Sequence, residues 1–140
     1  MEYQEIMIGL AELPNQVADA ENAVVSLKTE KRNAETTLEM RRNDVLSARS
    51  AKDWGANDGE RKINQAKALQ GDKETQRLTS YISGLDYDIA QAEIDLKRAQ
   101  NTFYAFRSAA ELHAAWLLAG RSVASANNSA YMASAEDLGI

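Results

Sequence analysis

The chain has 140 residues, a formal net charge of −5, one proline, no cysteine and 6% aromatics. The missing cysteine excludes disulfides and thiol chemistry, and the length leaves room for one domain. Ala, Glu, Lys, Leu and Gln are plentiful. That is the composition of long helices rather than sheet, and the acidic balance argues against nonspecific nucleic-acid binding.

Residues 1–13 carry Glu2, Glu5 and Glu12 and no basic group, so no signal-peptide n-region is expected there. No apolar run approaches the ~18–20 residues that span a bilayer. The expectation is a soluble chain in the cytoplasm, with no membrane partner. A short opening helix over about Tyr3–Leu13 leads into Pro14, where proline fits a first helical turn or marks a kink. From there apolar residues recur in 3–4 spacing: Ile6, Leu10, Leu13, Val17, Ala20, Val24, Leu27, Ala34, Leu38, Val45 and Ala48. Lys31 and Arg41 interrupt this seam, either as snorkelling stems or as residues that specify register. Steps of 3 and 4 give the period of a coiled-coil seam. The first arm is expected over about residues 14–53, roughly 60 Å at ~1.5 Å per residue.

Residues 54–59 read Trp-Gly-Ala-Asn-Asp-Gly and break the pattern. Asn57 and Glu60 have capping-box spacing, and a short helix is expected over about Asp58–Gln70. Gly71 is expected as its C′ glycine and Asp72 as the next N-cap. The second arm, about residues 73–119, carries Leu78, Ile82, Leu85, Ile89, Ala92, Leu96, Ala99, Phe103, Phe106 and Ala110 at the same spacing. Pairing Ala48 with Leu78 sets Leu27 against Ala99 and Ala20 against Phe106, large against small. The fold class is therefore all-α: an antiparallel two-helix coiled-coil hairpin domain over residues 1–120, its tip at 54–72, and an oligomer because a two-helix strip buries little core. Residues 121–140, rich in Ser, Ala and Asn, form a tail. It is open between a flexible segment and a docking peptide anchored by Tyr131, Met132, Leu138 and Ile140.

Charge is unevenly placed. Residues 1–27 hold five acidic and no basic groups, residues 28–79 twelve basic and nine acidic, and residues 80–140 seven acidic and four basic. The basic middle includes Arg41, Arg42 and Arg49. With Trp54 as a stacking platform it offers phosphate contact as an alternative to an ordinary mixed surface. Tyr81, Tyr87, Tyr104 and Trp116 fall off or beside the second seam and are assigned to self-association. Catalytic constellations are thin. The single histidine, His113, reads as a packing or capping residue; no His/Asp/Glu spacing suits a metal, no phosphate loop is present, and no cofactor is expected.

The order of Leu13-Pro14, a long acidic-start helix, a turn written Gly-x-Asn-x-x-x-Arg (Gly55, Asn57, Arg61), a short helix, Asp72 and a second long helix resembles small helical-hairpin proteins encoded by tailed bacteriophages, often among replication and recombination genes. The likeness covers roughly residues 10–118. It implies a setting beside single-strand-binding or annealing proteins more than an activity, and the leading expectation is a non-enzymatic accessory factor in the host cytoplasm that binds a phage or host protein, with single-stranded DNA as a further partner. The presented tip residues would be Trp54, Asn57 and Arg61, with electrostatic help from Arg41, Arg42 and Arg49. A structural part of the virion and an oligomeric anti-defence inhibitor of a host protein or its nucleotide signal are the alternatives.

Overall fold

A computed structural model describes the backbone from Glu2 to Asp137 and the side chains from Glu2 to Arg121. Four helices follow in order: α1 (Tyr3–Ser47), α2 (Ala51–Trp54), α3 (Asp58–Gly71) and α4 (Lys73–Asp137). No strand occurs among the described residues, and the all-α expectation is met, with α1 and α4 packed together. Two compact units divide the chain: Met1–Ala18 with Arg98–Ile140, called unit 1, and Asp19–Lys97, called unit 2.

The seam reading holds residue by residue. From Ile6 to Val45 every seam position of α1, Lys31 and Arg41 included, is buried or half-buried, and so is every position of α4 from Leu78 to Ala110. The most enclosed apolar residues are Ile6, Leu13, Val24, Ala34, Leu38, Leu78 and Leu85, none more than 8% exposed, together with Trp54. α1 passes through Pro14 without stopping. Pro14 has no N–H to offer the Leu10 carbonyl, yet the apolar stripe on either side keeps the helix packed.

Three expectations are corrected. The first arm ends at Ser47 rather than near residue 53, and Ala48 is exposed. Gly71 belongs to α3, and Gly55 is the one described glycine with positive φ. Gly120 does not end α4, which continues to Asp137.

The register also differs. In unit 1 the ring of Phe106 lies on Gly9, where a Cβ would collide with it, and not against Ala20. In unit 2 Lys28 meets Glu93 at 3.0 Å, Lys31 meets Asp86 at 2.6 Å and Arg41 meets Asp72 at 2.6 Å. Rising numbers on α1 meet falling numbers on α4 within each unit, so the pairing is antiparallel. It is offset by about three helical turns from the Ala48–Leu78 alignment. The cause lies at the α1 C-terminus: Val45 and Arg41 line one small cavity with Trp54 of α2 and Ala68 of α3. The short helices cover the last turns of α1, and α4 starts beside Arg41.

Candidate interaction site

The tip residues assigned to a partner hold the tip itself together. A helix ends with four carbonyls lacking intrahelical donors. At the end of α1 the Trp54 indole Nε1–H donates to the Leu46 carbonyl at 3.0 Å, with its ring 3% exposed. Behind it, Asn64 donates to the Trp54 carbonyl at 2.6 Å and Arg61 Nε to the Gly55 carbonyl at 3.0 Å. Each chain break is closed by a side chain from the next element.

At the helix starts, the Asp53 carboxylate accepts from the Ser50 hydroxyl at 2.9 Å, and Asn57 accepts from the Glu60 N–H at 2.9 Å as the N-cap of α3. Glu60 reaches back to the Ala56 N–H at 3.0 Å, a capping box displaced by one residue. Gly55 at φ 155 and ψ 166 occupies backbone that only glycine adopts readily. A Cβ there would sit 2.7 Å from that of Glu60.

Trp54 is therefore not presented as a stacking platform: its indole is needed at the end of α1 and its ring is enclosed. Asn57 and Arg61 are capping residues. The Arg49 guanidinium lies over the Trp54 ring at 4.9 Å, a cation–π contact that covers it further.

Arg41 grips Asp72 with two bonds, Nε to Oδ2 at 2.9 Å and Nη2 to Oδ1 at 2.6 Å. Asp72 also accepts from the Thr75 N–H at 3.0 Å, as the expected N-cap of α4, and from the Thr75 hydroxyl at 2.6 Å. Arg41 first, and Thr75 after it, hold the Asp72 carboxyl well below the usual carboxylate range. Lys31 likewise is a cross-helix residue: Asp86 raises its ammonium above the ordinary value. Both polar interruptions of the seam thus have partners on, or at the cap of, α4. Of the assigned tip residues, Arg42 and Arg49 form no ion pair or hydrogen bond among the described residues, and Arg49 makes only its contact with the Trp54 ring.

The aromatic set divides. Tyr81 donates its hydroxyl to the Glu30 carboxylate across the helix pair of unit 2, which raises the phenol's pKa. Tyr87 and Tyr104 are 67% and 56% exposed. Trp116, at 77%, is the most exposed large apolar side chain described.

Trp116 belongs to a feature that sequence reasoning missed. In unit 1, Ile6, Leu112, His113, Trp116, Leu117 and Gly120 line an open apolar groove of about 710 Å³. Leu112, Leu117 and Leu118 are 66%, 52% and 63% exposed. Local geometry explains the exposure. Tyr3, the first residue of α1, stacks on His113 with ring centroids 5.0 Å apart. The α4 seam continues in 3–4 steps through Leu117 and Gly120, beyond the first turn of α1. The signal lay in the run Ala114–Gly120, which has no charged residue on any face; such a helix segment is normally covered.

Of the tail-docking set, Leu138 and Ile140 lie outside the described residues, as do the side chains of Tyr131 and Met132. Among the described residues no group of three or more His, Cys, Asp or Glu could hold a metal ion, and no helix is long and apolar enough to cross a membrane. Comparison of the chain with protein-family models, curated proteins and solved structures finds no match.

Proposed function

We propose that this protein is a non-enzymatic helical interaction protein that docks through the unit 1 groove between Ile6 and Trp116. The observation that carries this reading is Trp116, 77% exposed beside Leu112 and Leu117 in an open apolar groove. Contiguous apolar surface of this kind is costly to leave in water and marks contact sites, and tryptophan is the residue most enriched among binding hot spots. The tip gives less support for recognition, because Trp54, Asn57 and Arg61 are engaged inside it. A phage replication or recombination setting remains the proposed context, carried by the Leu13-Pro14, Gly55-Asn57-Arg61 and Asp72 pattern.

Photo-crosslinking in cells tests which surface is used. A benzophenone amino acid at Trp116 is expected to form protein adducts, and the same group at Arg42 is not. Adducts from Arg42 alone would overturn the groove reading.

A further inference from the structure

We infer that the groove is covered by a second copy of this chain, α4 packing against the α4 of its partner between Leu112 and Gly120. The inference rests on the reading of the groove as a docking face and names its occupant. Two observations point to a second copy.

The first is self-complementary relief. Trp116 stands beside a trough formed by Ala115, Ala119 and Gly120. A two-fold interface pairs the same patch with itself, so one face must carry both the projection and the recess. Here the largest side chain and the smallest residues alternate on a few turns of one helix, and each copy's indole fits the other's trough.

The second is area. Leu112, Leu117 and Leu118 on α4 and Tyr3 and Met7 on α1 are 48–66% exposed, and Trp116 is 77% exposed. At roughly 100 Å² each, and about twice that for tryptophan, the four residues on α4 alone offer up to roughly 500 Å² per copy, over half of the ~800 Å² per partner of a stable interface.

The experiment is sedimentation velocity on the purified full chain across a dilution series, with Trp116→Ala and Leu117→Glu compared with wild type. Helical circular dichroism serves as the folding control. The absence of cysteine makes Gly120→Cys a clean second reporter, because any disulfide must then join two copies. A concentration-dependent wild-type dimer is expected, weakened about tenfold or more by Trp116→Ala and abolished by Leu117→Glu, with Gly120→Cys cross-linking under mild oxidation. A dimer unaffected by Trp116→Ala, with no Gly120→Cys cross-link, overturns the inference. A wild-type monomer whose Trp116 photo-adducts contain a different protein also overturns it but leaves the docking reading standing. A monomer with no Trp116 adducts removes both.

Discussion

The two units use tryptophan in opposite ways. In unit 2, Trp54 is 3% exposed and its indole N–H closes the end of α1; in unit 1, Trp116 is 77% exposed and lies in an open groove. Aromatic content alone does not distinguish a recognition residue from a structural one. What separates these two is the neighbouring backbone. Trp54 follows a helix end whose carbonyls need donors, and Trp116 sits mid-helix where every backbone group is already paired. A tryptophan near a chain break is recruited inward, and one on a continuous helix with no partner helix is left out.

The contrast breaks most visibly under truncation of both residues. Trp54→Ala is expected to cost about 3–5 kcal/mol in urea denaturation, the range for a large buried aromatic. Trp116→Ala, at concentrations where the chain is monomeric, should stay within about 0.5 kcal/mol. Similar losses from both would mean that the groove is closed in solution.

Two glycines sharpen the same comparison. Gly9→Ala in unit 1 forces the Phe106 ring aside. A net loss of about 1–3 kcal/mol is expected, despite the helix-propensity gain. Gly84→Ala in unit 2 meets open space and should gain up to about 1 kcal/mol. Thermal melts of the two variants should therefore shift in opposite directions.

Smaller again is the acid response of unit 2. The carboxyl of Asp72 titrates lower when folded than when unfolded. Its contribution to stability is therefore present above the ordinary carboxylate pKa of ~3.9 and is lost as pH falls from there toward the folded value. Asp72→Asn should be less stable at neutral pH and should show a shallower loss of stability on acidification, read from denaturation midpoints at successive pH values. A slope equal to that of wild type would show that the Arg41–Asp72 clamp is not formed in solution.

The seam was legible because burial and 3–4 spacing are one periodic signal, and Lys31 and Arg41 kept their places in it. The register was not, because a heptad pattern matches itself after each slip. What breaks that degeneracy are single contacts: Phe106 on Gly9 in unit 1 and Arg41 with Asp72, 31 residues apart, in unit 2. Neither stands out in the sequence. The caps Asn57 and Asp72 were legible, since they act on the third residue following each. Trp54 was misread because its partner is a backbone carbonyl, which no residue name reveals. The groove followed from the end of α1 against His113, and sequence alone gives no length at which one helix outruns its neighbour.

The tip bonds have a kinetic consequence. Trp54 to Leu46, Asn64 to Trp54 and Arg61 to Gly55 span 8, 10 and 6 residues, so closing these loops costs little chain entropy. The bend can form while the distant ends of α1 and α4 are still unpaired, and it fixes their antiparallel direction before the arms meet. Folding is therefore expected to zip outward from residues 46–64. Asn64→Ala should slow folding, whereas changes at Phe106 should mainly speed unfolding.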